Sequence, residues 1–210
     1  MAASSSRVPD VPDPDGARAS EAAAGAAAGA GDRTGSVALF YADWRRYNDR
    51  IVDGLRGRPA ADLELTAGPD QWPVWGLAAH AAGARVYWLC AYLGEPGAAT
   101  TPFTDPTGYG WEDDLATPRG ADELVWALES SWAVIESCLT RWTPAMLDEP
   151  VERDRGGKIR VHTRQSILLR LITHDAFHAG EIALLFGMHG RPPLDLWPPA
   201  VPAAPAVNEA

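Results

Sequence analysis

Apolar residues recur every three or four positions in four long stretches of the chain, the period of a helix that buries one face. Val37, Phe40, Tyr41, Trp44, Tyr47, Ile51, Val52 and Leu55 form the first, which Ser36 can cap and Gly57 stops. The second is entered through Gly68-Pro69-Asp70, takes Pro73 into its first turn and runs to about Gly94. The third starts at Gly120, places Glu123 at its third position, turns Leu124, Leu128, Trp132, Ile135 and Leu139 inward, and ends before Thr143-Pro144. The fourth is capped by Thr163 and stopped by Gly187, with Ile167, Leu171 and Leu185 on its inner face. Ahead of it, Val151 to Arg153 and Ile159 to Val161 flank Asp154-Arg155-Gly156-Gly157, a polar hairpin. The pattern predicts an all-α protein, a four-helix bundle with a short β-hairpin before the last helix.

The same pattern divides the chain into a disordered segment over 1–36, a bundle domain over 37–190 and a Pro-rich tail over 191–210. Residues 1–36 combine Pro, Asp, Ser and an Ala/Gly run with almost no large apolar side chains, too little to offset the entropy of ordering. They also lack the apolar core of a signal peptide. In the tail, Leu194, Leu196 and Trp197 can pack back as an anchor. Residues 95–119, rich in Pro, Gly, Thr and Asp, read as a functional loop or lid in which Tyr109 and Trp111 cover something.

Composition narrows the function classes. A chain of 210 residues with 46% hydrophobic side chains can bury a sizeable core without cross-links. Cys90 and Cys138 stand alone in apolar helical patterns and read as buried free thiols, which fits a reducing cytoplasm. A formal net charge of -10 excludes nucleic acid or an anionic membrane as the main partner, because both require a positive field. The run from Gly76 to Gly94 tempts a membrane assignment, but Arg85 near its middle would cost about 2.5–3.5 kcal/mol there. Of the 18 Lys and Arg residues only Lys158 is lysine, and Ala, Gly and Pro abound, the usage of a GC-rich genome such as an actinobacterium's. A surplus of aromatic residues over what a small core absorbs points to a homodimer.

The chemistry centres on histidines. His174 and His178 are one helical turn apart on the face that also carries Glu181, so two imidazoles point toward the core. Buried neutral imidazoles need partners, and a shared divalent cation supplies one if a third ligand comes from elsewhere. The plainer alternative is one hydrogen-bonded core histidine and one surface histidine. His80, in the second helix, shares its face with Leu77, Ala84, Tyr87 and Ala91, and small residues around it leave room for a close helix or a ligand. Three inward histidines on two helices leave a coordination position open, as catalytic rather than structural sites do; zinc or nickel suits imidazole ligands. His162, in the hairpin, and His189, past Gly187, read as surface residues.

WPVWGLAAHAAGARVYWLCAYLG followed by HDAFHAGEIALLFGMHG resembles the DinB/YfiT-like superfamily of bacterial four-helix proteins, over about residues 37–190. The resemblance implies a divalent metal on His80, His174 and His178. It also implies a small-molecule substrate and, as in some members, a thiol-dependent S-transferase or isomerase using bacillithiol, mycothiol or glutathione. Mycothiol is the expected thiol if the source is actinobacterial. The alternative is a non-catalytic protein that binds metal or a small ligand.

A metal-dependent hydrolase is the further alternative, because HDAFH is one residue from HExxH. Asp175 is a methylene too short to replace the glutamate base, and Leu184 stands where a metzincin would place its third histidine. Asp175 reads instead as a solvated or ion-paired neighbour. Glu181 is the candidate catalytic carboxylate, able to orient a ligand imidazole or act on metal-bound water. Tyr87 is the candidate phenol, against the plainer reading of a core tyrosine. The tryptophans at 44, 72, 75, 88, 126 and 132 read mostly as core by their spacing.

Overall fold

The computed structural model describes residues 35–105, 114–154 and 156–196. The expected disorder of 1–36, the covering role of Tyr109 and Trp111, and the anchoring by Trp197 fall wholly or mostly outside the described residues. Within them the expected bundle stands: four long helices, two short ones and an antiparallel hairpin.

A 3-10 turn over Ala38–Tyr41 leads into α1, Ala42–Leu55, which buries Trp44, Asn48, Ile51, Val52 and Leu55. Ser36 does not cap a helix here; Val37 precedes the turn, with its N–H donated to the Trp142 carbonyl at 3.0 Å. The tighter winding rotates the start of the stripe, so Phe40 points outward and is 77% exposed. Gly57, at φ 68, turns the chain after α1 as expected. A short α2, Ala60–Leu63, follows unforeseen. It is too brief for a periodic signature, yet it buries Leu63 and Asp62.

α3, Val74–Val86, is preceded by Pro73 and continues as π-helical turns over Tyr87–Tyr92 until Gly94, at φ 77, releases the chain. It is buried on nearly all sides. Ala78, Ala79, Ala81, Ala82 and Gly83 keep its surface thin, so its neighbours approach closely. α4, Ala121–Arg141, begins as predicted, with the Gly120 N–H donated to Glu123 Oε2 at 3.0 Å, and all five expected inward residues are buried. α5, Pro144–Leu147, is a single turn started by its proline.

The hairpin pairs β1, Pro150–Asp154, with β2, Ile159–Thr163, in the register Val151 to His162 and Arg153 to Arg160. Tyr92 fixes it to the bundle by donating its hydroxyl toward the carbonyls of Arg160 and Val151, at 2.9 and 3.2 Å. α6, Arg164–Met188, opens with a reciprocal cap: Thr163 Oγ1 accepts the Ser166 N–H and Ser166 Oγ accepts the Thr163 N–H, both at 3.1 Å.

Its end differs from the expectation. Gly187 lies inside the helix, and Gly190, at φ 66, ends it; the Arg191 N–H reaches back to the Phe186 carbonyl at 2.8 Å and the Gly190 N–H to Gly187 at 3.1 Å. This paired closure needs its left-handed residue two positions past the last helical one, which is where Gly190 stands. The chain then lies back over α1, as expected of the tail: Leu194 is buried against Gly54, where a Cβ would collide with it, and Asp195 pairs with Arg50 at 2.8 Å.

The core has two apolar halves. Ile51, Val86, Leu128 and Ile182 belong to one and Trp44, Leu89, Trp132 and Leu171 to the other. Between them lies a polar layer of Asn48 from α1, Arg85 from α3, Ser131 from α4 and Asp175 from α6, each at most 1% exposed. No helix among the described residues is long and apolar enough to cross a membrane.

Candidate metal centre

His80 on α3 and His174 and His178 on α6 converge at one end of this polar layer. Nε2 of His174 stands 3.2 Å from Nε2 of His80 and 3.2 Å from Nε2 of His178. One nitrogen from each of the three lies within 4.8 Å of the others, all on partly buried side chains. The structure thus brings together the three histidines singled out by their spacing. His162 instead packs edge-on against Trp88 and Tyr92, and His189 is exposed with Nε2 3.1 Å from the Thr66 carbonyl.

Hydrogen bonding alone leaves the trio under-satisfied. His178 Nδ1 lies 2.7 Å from Glu181 Oε2, three residues on along the helix, so its proton is held there and Nε2 presents a lone pair. His174 Nε2 then faces two nitrogens with one proton at most. Its own Nδ1 is buried and has no hydrogen-bond partner among the described residues. A divalent cation with imidazole nitrogens at about 2.0–2.1 Å would separate them by about 3.4 Å in tetrahedral and about 2.9 Å in octahedral geometry. The observed spacing lies between these, so the donor set fits such a cation.

Electrostatics point the same way. Burial pushes the His174 imidazole down to about 4, helped by His178, His80 and Arg85. Burial also lowers His178, while its hydrogen bond to Glu181 pulls in the opposite direction. Both rings are therefore held in the neutral form that a cation requires. Cys90, pushed up to about 11 chiefly by burial, and Cys138, pushed up still further for the same reason, are inert as nucleophiles at neutral pH.

Behind the histidines, the polar layer is held by Arg85. Its Nε and Nη2 grip Asp175 Oδ1 and Oδ2 at 3.1 and 2.8 Å, and Nη1 reaches Asn48 Oδ1 at 2.8 Å. Trp44 Nε1 donates to Asp175 Oδ2 at 2.8 Å. Asp175 is therefore ion-paired, as one expectation had it, but it is buried rather than solvated. Since Arg85 is five residues from His80 and Asp175 is next to His174, this pair fixes α3 against α6 at the height where their histidines must meet. Sequence reasoning used Arg85 only against a membrane span. An arginine deep in an alanine-rich helix whose one other polar side chain is His80 needs an acid of its own, and that signal was available.

On the other side the histidines open onto a cavity of about 410 Å³, with His80 and His178 in its wall. Trp72, Leu77, Leu184 and Leu185 supply apolar surface, and Gln71 and Glu181 the polar groups. Trp72, read as core from its spacing, stands edge-to-face with His80 at 5.0 Å between ring centres. Tyr87 is not part of the wall. Seven residues on from His80 it lies about 10 Å along the helix, away from the cavity, and its ring packs against Trp88.

Glu181 gives a direct test of this second layer. Glu181→Gln is expected to weaken divalent-metal affinity about 10- to 100-fold, measured by competition with a chromogenic chelator, with little change in thermal stability. Unchanged affinity would make the contact to His178 incidental.

No curated protein matches the chain. Among the solved structures that resemble it are two at 19% sequence identity. A DinB-like protein from Bacillus cereus gives a TM-score of 0.57, with 74% of this chain and 93% of that one covered. A conserved protein from Enterococcus faecalis gives 0.52, with 72% and 98% covered. At this identity they speak for the fold. The sequence model of the DinB superfamily matches residues 39–182, well over half of the chain and inclusive of all three histidines. By that match, the chain belongs to the DinB superfamily.

Proposed function

We propose that the protein is a divalent-metal-dependent enzyme, a thiol-dependent S-transferase or isomerase. The observation that carries the reading is the convergence of three imidazole nitrogens beside a cavity, with Glu181 fixing the tautomer of one of them. His80, His174 and His178 would hold the ion, zinc or nickel by ligand type. When bound, it supplies a Lewis acid that lowers the pKa of a coordinated thiol and so provides a thiolate at neutral pH.

The chain's own residues supply the rest. Glu181, its carboxylate 39% exposed, orients His178 and stands where it can take a proton from a ligand in the cavity. Trp72 and the leucines present an apolar surface beside the reacting groups. The reading requires no protein nucleophile, in keeping with the raised pKa of both cysteines.

The thiol is proposed to be mycothiol, on the family resemblance and the GC-rich composition. Protein purified without a polyhistidine tag should carry divalent metal by elemental analysis and consume monochlorobimane with mycothiol. Activity should disappear in His80→Ala and His178→Ala. Full metal loading with no turnover on mycothiol, bacillithiol or glutathione would favour a protein that binds metal or a small ligand without catalysis.

We also propose a homodimer. Leu169, Phe177, Leu184 and Met188 form an exposed apolar stripe along α6, and a two-fold axis near Gly180 would set Phe177 of one copy against Leu184 of the other. Light scattering should give twice the chain mass, and Phe177→Glu should shift it to that of a monomer. A monomeric wild-type protein would refute the pairing and leave the metal centre untouched.

A further inference from the structure

The chain carries 28 acidic side chains against 18 basic ones, enough to give every arginine a carboxylate. Among the described residues three arginines have none: Arg153, Arg160 and Arg170. All the others are ion-paired, from Arg45 with Asp49 to Arg191 with Asp62.

The three exceptions are neighbours. Arg153 and Arg160 are a cross-strand pair of the hairpin, so their side chains leave the same face, and like charges directly opposite destabilise a sheet. His162, two residues on from Arg160, shares that face and sets its ring against Trp88 and Tyr92, each at 5.2 Å between centres. The Arg153 guanidinium lies 5.9 Å from the centre of the Tyr92 ring, and that of Arg170, on α6, lies 4.7 Å from the centre of the Trp88 ring. Burial lowers the His162 pKa, and Arg170 and Arg160 lower it further, as neighbouring cations do.

The hairpin, α6 and the π-helical extension of α3 thus hold three exposed guanidiniums around one aromatic cluster. Short π-helical stretches concentrate at functional sites, and this one brings Trp88 and Tyr92 to 5.3 Å between ring centres. The repulsion has no internal relief. Glu152 and Asp154 stand on the opposite face of the hairpin, Asp154 Oδ1 accepts the Gly157 N–H at 2.7 Å, and Glu149 is paired with Arg164. A doubly charged oxyanion supplies what is missing, since its oxygens match the planar fork of each guanidinium.

We infer that the junction of the hairpin, α6 and the end of α3 binds a small, soluble molecule through a doubly charged oxyanion, with a phosphate monoester as the matching group. The net charge of -10 favours a small ligand, because it repels the extended field of an anionic membrane or a nucleic acid. The site shares no residue with the cavity wall, and it does not depend on the activity proposed for the metal centre.

Phenyl phosphate and benzenesulfonate are alike in shape and differ in charge at neutral pH. Isothermal titration into the full-length, metal-loaded protein should show phenyl phosphate binding at least about tenfold more tightly. Arg160→Gln and Arg170→Gln should each weaken it about tenfold, whereas Arg46→Gln, in a surface pair on α1, should not. The ring resonances of His162 should move on binding while those of His189 stay.

An open metal position can also take a phosphate. Chelator-treated protein and His80→Ala lack that position and should return the same arginine-dependent affinity. Binding that is insensitive to both arginine variants, or that is lost with the metal, would assign the anion to the ion and overturn the inference, as would equal binding of the sulfonate. Sedimentation with phosphatidic acid vesicles, without binding of phenyl phosphate, would overturn it in favour of a lipid headgroup.

Discussion

His174→Ala is expected to reduce bound divalent metal from about one equivalent per chain to less than about a tenth, read by elemental analysis of untagged protein after gel filtration. His174 is the shared member of the trio, with its Nε2 at 3.2 Å from each of the others. Without it His80 and His178 remain on different helices, and two imidazoles with no third ligand hold an ion poorly. His189→Ala is the matched control, since that ring is exposed and faces the Thr66 carbonyl; its metal content should not change. Full occupancy in the His174 variant would mean that the ion sits elsewhere.

The second large effect lies one residue further along. Asp175→Asn is expected to destabilise the protein by about 3–5 kcal/mol, because it leaves the Arg85 guanidinium buried with its charge uncompensated. Urea unfolding followed by circular dichroism measures it. Paired apolar replacement, Arg85→Met with Asp175→Leu, should recover much of the loss, since a buried ion pair is held at a large desolvation cost. A single-variant penalty below about 1 kcal/mol would show that water reaches the layer and that the pair is not its keystone.

Most of the scaffold was legible in the sequence because its helices carry strong periodicity and explicit ends. Gly120 with Glu123, Thr163 ahead of α6 and Pro73 ahead of α3 all mark helix starts where they were placed. The missed features are those that a repeat of 3.6 residues cannot express. α2 and α5 are single turns, the 3-10 entry to α1 turns Phe40 outward, and Gly187 offered a stop that the chain did not use because Gly190 could close the helix with better hydrogen bonds.

For the site, spacing alone aligned His174, His178 and Glu181, since all three share one face of one helix. It could not give the depth at which His80 meets them. That height depends on the Arg85 to Asp175 contact between residues 90 apart, and no periodic pattern encodes such a contact. The cavity was invisible for a similar reason: Trp72 sits just before α3 and Leu184 on the outer side of α6, and neither position looks different from ordinary core or surface until the helices are docked.

The family match and the cavity wall do not end at the same residue. The match stops at residue 182, past the three converging histidines but short of Leu184 and Leu185, which wall the cavity, and of Leu194, which locks the returning chain onto Gly54. The matched stretch holds His80, His174 and His178 and most of the described cavity wall. Part of the cavity wall lies in the stretch beyond, so a substrate borrowed from any relative must be re-established against these residues. A chain cut back to the matched segment would keep its three imidazoles and lose two leucines of the wall together with the strap.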